Sequence, residues 1–162
     1  MASKEILFFY GTCDIYSQFH PATFTVDDVS YTCCEQYMMH QKAVLFGDDE
    51  HALKILMETE PRKIKAFGRQ VRNFDDKVWV EKCRDIVFKG NLAKFSQNEH
   101  LKEALLKTGD RVIAEASPSD RRWGIGLSEK DWRSQDPSQW RGSNWLGEAI
   151  MRVRQNLREE QS

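Results

Sequence analysis

A stripe of apolar side chains in the middle of the chain constrains the fold more than any other feature. It consists of Trp79, Cys83, Ile86 and Val87. These positions share one helix face, so we predict a helix that begins at Asp75 or Asp76 and continues toward Phe95. The stripe must be buried against other elements. With 162 residues, 40% of them hydrophobic, the chain has the material for one domain over 1–162, with its core at about 6–158.

Start and stop signals predict further helices on both sides of this one. Thr32 is predicted to cap a helix that ends near Phe46, with Glu35 as the capping-box partner. The other predicted helices begin at Asp48 or Asp49, at Pro61, at a cap on Asn98, and near Leu146.

Three short segments are predicted to form strands, over residues 6–10, 24–31 and 112–114. The second alternates apolar and polar side chains around Asp27 and Asp28, which indicates a strand or a hairpin with an Asp-Asp turn. The sequence therefore predicts an α+β fold, with helices packed around a small mixed sheet.

Composition narrows the range of functions. Lys and Arg total 24 against 25 Asp and Glu, so the chain lacks the basic excess of an avid nucleic-acid binder, although a local basic groove is compatible with this balance.

The sequence contains neither a run of about 18 apolar residues nor a leader-cleavage pattern. We therefore expect an intracellular, cytoplasmic protein with no membrane partner, the nucleus being an alternative. The four cysteines lack metal-site spacing, so no metal is expected. No other cofactor is expected either. Oligomeric state is left open.

The predicted helix that ends near Phe46 carries a candidate catalytic pair. Glu35 and Lys42 are seven residues apart, which places them on nearly the same helix face with roughly 10 Å of rise between them. A carboxylate and an amine can thus face one cleft. The alternative is a solvated helix face with two unrelated charges.

Two loops hold residue types suited to a phosphorylated ligand. The first, residues 117–126, combines Asp120, Arg121, Arg122 and Trp123 with Gly124 and Gly126. The second places Asn144 at the start of the last helix, where free backbone N–H groups suit an anion. The alternatives are a tight turn around a buried indole and an ordinary helix N-terminus.

Five blocks of the sequence, taken in order, resemble the NADAR family of YbiA-like proteins, which is named for NAD and ADP-ribose. The blocks are Phe9-Tyr10-Gly11, Tyr16-Ser17-Gln18-Phe19-His20-Pro21, the segment from Glu35-Gln36-Tyr37 to Gln41-Lys42-Ala43, Ser117-Pro118-Ser119-Asp120 with Trp123-Gly124-Ile125-Gly126, and Arg141-Gly142-Ser143-Asn144-Trp145-Leu146-Gly147. The resemblance extends over about residues 8–157. The chain departs from the family pattern at Gln18, where the family usually has Asn, and at Gln36 and His40, where His and Ala or similar residues are often found. The difference at Gln18 bears on the choice of substrate.

The resemblance implies a YbiA-like α+β fold and hydrolysis of an N-glycosidic bond on a ribose-phosphate ligand. The favoured substrate is ADP-ribose attached to the guanine amino group of DNA or RNA. One alternative is a ribosylamino-pyrimidine phosphate of riboflavin biosynthesis. The other is a non-catalytic module that binds ADP-ribose or NAD.

The same resemblance implies roles for individual residues. Lys42 would attack the anomeric carbon and form a Schiff base, which requires a lowered pKa. Glu35 and Asp120 would move protons or stabilise the developing positive charge. The implied ligand-binding residues are Tyr10, Gly11, Phe19, Tyr37, Arg121, Arg122, Trp123, Gly124, Gly126, Asn144 and Gly147.

Overall fold

The computed structural model describes residues 5–161, so the predicted domain limits of 1–162 extend beyond the described part at both ends. This part of the chain forms four strands: β1 (Ile6–Phe9), β2 (Phe24–Val26), β3 (Val29–Tyr31) and β4 (Val112–Glu115). The same described residues form six α-helices: α1 (Cys34–Leu45), α2 (Asp49–Met57), α3 (Pro61–Arg69), α4 (Asp76–Gln97), α5 (Glu99–Lys107) and α6 (Trp145–Gln161). Two short 3-10 helices, Trp132–Gln135 and Pro137–Gln139, interrupt the long connection before α6.

The strands form two separate pairs. β1 and β4 are parallel, with Phe9 opposite Glu115, although more than 100 residues separate them in the chain. β2 and β3 form an antiparallel hairpin. Its turn residues, Asp27 and Asp28, have φ angles of 50° and 66°, the left-handed values that a two-residue type I′ turn requires. The α+β prediction is confirmed, and of its two readings for residues 24–31 the hairpin is correct.

The predicted cap of α1 is wrong. The helix begins at Cys34, with Cys33 as an extended N-cap that makes no side-chain capping bond. Thr32 instead donates its backbone N–H to Oε1 of Gln36 at 2.7 Å. Gln36 therefore accepts the hydrogen bond from Thr32 that was predicted for Glu35. Because the Glu35 carboxylate is not used in capping, it is available for another purpose.

The main core forms where α4 packs against α1 and α6, and α6 in turn packs against β4. The predicted stripe of α4 is largely confirmed, since Trp79, Cys83 and Val87 are buried. Asp75 and Asp48 cap α4 and α2 by accepting bonds from backbone N–H groups, as predicted. Along residues 5–161, no helix combines the length and the apolar character needed to cross a membrane.

Candidate active site

A cavity of about 610 Å³ opens where the two parallel strands end. Because β1 and β4 run in the same direction, the segments that follow them leave the same edge of the pair, and both line the cavity. Helices α1 and α3 close the other sides. The volume lies within the range typical of sites for small organic ligands.

Helix α1 contributes Glu35 and Lys42 to this cavity. Glu35 is 4% exposed, and burial raises the pKa of its carboxyl group to about 7, with Asp120 adding to the increase. The neighbouring Lys65 and Lys42 oppose this shift. At neutral pH the Glu35 carboxyl is therefore divided between protonated and ionised forms, as an acid–base group requires.

Lys42 is partly buried between aromatic rings. Its Nζ lies 4.5 Å from the ring centre of Phe74 and 5.8 Å from that of Trp79. Burial lowers the pKa of the Lys42 amine, the attraction of Glu35 opposes this change, and the charge of Arg69 adds to it. A larger fraction of the amine is therefore unprotonated than on an exposed lysine.

The end of β4 and the following loop add Glu115 and Asp120. Burial raises the pKa of Glu115 to about 7, and the nearby carboxylates of Asp120 and Glu35 raise it further. Asp120 is held by the loop itself, because its Oδ1 accepts bonds from the backbone N–H groups of Arg122 and Trp123. Three carboxyl groups therefore share one cavity, and the charge of Asp120 helps to raise the pKa of the other two.

The loop after β1 forms one wall of the cavity, which carries aromatic side chains and an amide side chain. It brings Tyr10, Gly11 and Phe19 to the cavity, together with Gln18. Helix α4 fixes this loop: Asn91 donates to Oε1 of Gln18 at 2.9 Å, and the buried ammonium of Lys94 donates to the Ser17 carbonyl. Trp123 lines the cavity from the loop after β4.

Two buried atoms on cavity-lining side chains have no hydrogen-bond partner within residues 5–161. They are Nε2 of Gln18, a donor, and Oε2 of Glu115. Buried polar atoms are nearly always satisfied in folded proteins. Both atoms lie beside the same cavity, so a polar ligand bound there would supply the hydrogen-bond partners that they lack.

Besides Asn144, three predicted ligand-binding side chains lie outside the cavity lining. Tyr37 is buried under the β2–β3 hairpin, with its ring centre 5.1 Å from that of Tyr31. Arg122 pairs with Asp76 at 3.2 Å and lies near the Trp145 ring. Arg121 is exposed.

Two of the predicted glycines, Gly124 and Gly147, and Asn144 pack the chain onto β4 and also lie outside the cavity lining. A Cβ at Gly124 would come within 2.9 Å of the Glu115 carbonyl oxygen, and one at Gly147 would overlap the Ile113 carbonyl oxygen. Asn144, 2% exposed, accepts from the Glu115 N–H and donates to the Ile113 carbonyl. Gly126, with a φ of 72°, also lies outside the cavity lining and packs closely on Arg141.

Replacing Asn144 with alanine should destabilise the fold by about 3 kcal/mol, since two hydrogen bonds are lost and two backbone groups of β4 lose their partner. The measurement is the denaturation midpoint in urea. Asn144→Gly removes the same bonds but suits the φ of 52°, so it should be less harmful than alanine. A cost below about 0.5 kcal/mol for both variants would contradict this role.

Several cavity residues were not predicted. They include Glu115 at the end of β4, and Arg62, Lys65 and Arg69 on α3. A charged residue directly after a buried strand could have indicated Glu115, and the three- and four-residue spacing could have indicated the α3 cations. Along residues 5–161, no group of three or more His, Cys, Asp and Glu side chains is arranged to hold a metal ion.

The fold and the cavity define an α+β domain with a cavity at the end of a parallel strand pair, lined by three carboxyl groups and four cationic side chains. The NADAR domain model matches residues 8–158, and the chain belongs to the NADAR family. It is 41% identical to an N-glycosidase of Acanthamoeba polyphaga mimivirus over 166 residues, which cover 96% of this chain and 98% of the relative.

Two further relatives extend this likeness. Protein irg-1 of Caenorhabditis elegans is 39% identical over 171 residues, covering 96% of this chain and 81% of the relative. The NMR structure of the Escherichia coli protein YbiA superposes with a TM-score of 0.80 at 26% identity, covering 99% of this chain and 89% of that one. The YbiA-like fold predicted from the sequence is therefore confirmed.

Proposed function

We propose that this protein is an N-glycosidase that removes ADP-ribose from the amino group of guanine in modified nucleic acid. The observation that carries the proposal is the convergence of Glu35, Lys42 and Asp120 in one cavity, although they come from segments almost 80 residues apart. The mimivirus relative named N-glycosidase supports the reaction class.

Lys42 is the nucleophile in the proposed mechanism. Opening of the ribose ring gives an imine between the anomeric carbon and the guanine nitrogen. The unprotonated Lys42 amine adds to this carbon, the bond from carbon to guanine nitrogen breaks, and a Schiff base to Lys42 remains. Water then adds to the Schiff base and releases the sugar as an aldehyde that closes again. The sum is addition of one water across the glycosidic bond.

The carboxyl groups move the protons. Protonated Glu35 donates to the leaving guanine nitrogen, a role that its pKa of about 7 supports. An ionised carboxylate, Asp120 or Glu115, accepts a proton from the attacking amine and later from water. Because burial and the neighbouring carboxylates both disfavour ionised Glu35 and ionised Glu115, the cavity favours a state in which one of these two retains a proton.

Phe19 and Trp123 are suited to contact flat ring systems at the cavity wall. A purine would place its ring against one of these faces while its amino nitrogen points to the carboxyl groups. Gln18 supplies an unsatisfied donor for a carbonyl oxygen of the base or a ribose hydroxyl.

The experiment offers the protein two substrates in parallel. One is an oligonucleotide that carries ADP-ribosylated guanine, and the other is the ribosylamino-pyrimidine phosphate of riboflavin biosynthesis. Released base and sugar are followed by chromatography, with Glu35→Gln/Lys42→Ala as the inactive control. We expect release from the oligonucleotide. Release from the pyrimidine substrate alone would replace the proposed substrate, and release from neither would leave a binding module as the better account.

A further inference from the structure

Helix α3 presents a row of three cations to the cavity. Arg62, Lys65 and Arg69 are spaced by three and four residues, so they lie along one helix face over roughly 10 Å. All three line the same cavity as Glu35. The intervening Ile64 is fully buried and anchors the opposite face of the helix in the core.

A close contact with α1 fixes the position of the row. A Cβ at Gly68 would overlap the side chain of Met39, which itself lines the cavity. The glycine lets α3 lie directly against α1, and Lys65 and Arg69 consequently lie near enough to Glu35 to lower the pKa of its carboxyl group. Lys65 Nζ also lies 5.7 Å from the Phe19 ring centre, so the row borders the aromatic wall.

The three cations have no ion-pair partner in the part of the chain that the structure describes. The adjacent Lys63, by contrast, pairs with Glu60 at 3.7 Å and does not line the cavity. Arg122, a predicted phosphate ligand, is paired with Asp76. The α3 row therefore offers cationic donors beside the cavity that are not committed to another side chain.

We infer that the α3 row is a subsite for the diphosphate of a nucleoside-diphosphate sugar, with the sugar directed toward Glu35, Glu115 and Asp120. The three carboxyl groups at one end of the cavity repel phosphate groups, and the cations of α3 attract them. This difference in charge sets the orientation of the ligand in the cavity. A single phosphate can be held by one or two cations, whereas three cations over roughly 10 Å suit two linked phosphates. The assignment of the sugar end depends on the proposed function.

The test measures binding separately from hydrolysis. ADP-ribose and ribose 5-phosphate are titrated by calorimetry into the wild-type protein and into the Lys65→Gln, Arg69→Gln and Arg62→Gln/Lys65→Gln/Arg69→Gln variants. Each single change should weaken ADP-ribose binding about 10-fold, and the triple change about 100-fold or more. Lys63→Gln is the matched control on the same helix and should bind within about 2-fold of wild type.

The outcomes separate this subsite from the proposed reaction. Wild-type binding of ADP-ribose well above that of ribose 5-phosphate, with the difference lost in the triple variant, supports the subsite even if no oligonucleotide is hydrolysed. The inference is overturned if wild type does not bind ADP-ribose, if it binds both ligands equally, or if the triple variant binds ADP-ribose like wild type. Thermal melting of each variant confirms that the fold is retained.

Discussion

Replacing Lys42 with alanine should lower kcat/KM for the proposed hydrolysis of ADP-ribosylated guanine by about 1,000-fold or more, because the proposed covalent route through its amine is lost. Lys42→Arg should not restore the rate, since a guanidinium group stays protonated at neutral pH and cannot attack carbon. Rates are measured under single-turnover conditions, so that product release does not conceal the loss.

A matched control is Lys54→Ala, on an exposed lysine of α2 that pairs with Glu50 at 3.2 Å. It should retain the wild-type rate. The covalent intermediate has its own test: borohydride added during turnover should reduce the Schiff base to a stable amine, and peptide mapping should find the sugar on Lys42. A Lys42→Ala rate within about 10-fold of wild type would reject Lys42 as the nucleophile.

Replacing Glu35 with glutamine should abolish most activity and at the same time stabilise the protein at alkaline pH. The pKa of the Glu35 carboxyl rises from its ordinary value of 4.5 to about 7 on folding, so the folded state retains a proton that the unfolded state releases. Stability of the wild type therefore falls as the pH rises through this interval. Glutamine has no charge to bury, and the variant avoids this cost.

The expected gain is about 2 kcal/mol at pH 8, or about 5 °C in Tm for a chain of this size, and close to zero at pH 4. Differential scanning calorimetry across this pH range measures it. Glu115→Gln should behave in the same way, because the pKa of Glu115 is also raised to about 7. Glu103→Gln, an exposed position on α5, is the control and should change Tm little at any pH. A Glu35→Gln variant whose Tm advantage shrinks as the pH rises would contradict the argument.

Local signals in the sequence predict much of the fold. Asp48 and Asp75 stand before apolar patterns of helical period, and both cap helices in the structure. The cap of α1 was mispredicted because Thr32 has two candidate partners, Glu35 and Gln36. The amide of Gln36 is also held by the carbonyl oxygens of Ile55 and Glu58 at the end of α2, and no local rule contains that contact.

The site was harder to predict because tertiary contacts build it. The two-turn spacing of Glu35 and Lys42 can be read from the sequence, whereas Glu115 enters the cavity only because β4 pairs with β1. The sequence likewise shows a glycine at 124 and an amide at 144 without indicating whether they contact a ligand or the backbone of β4. The structure uses both to pack the chain.

The parallel pairing of β1 with β4 has a consequence for synthesis of the protein on the ribosome. Glu35 and Lys42 emerge early, but the strand that carries Glu115 and the loop that carries Asp120 and Trp123 follow only after five helices. Until β4 pairs with β1, the nascent chain carries the Lys42 amine and Glu35 but not Glu115 and Asp120 beside them. A truncated product that stops before β4 would therefore carry no complete site.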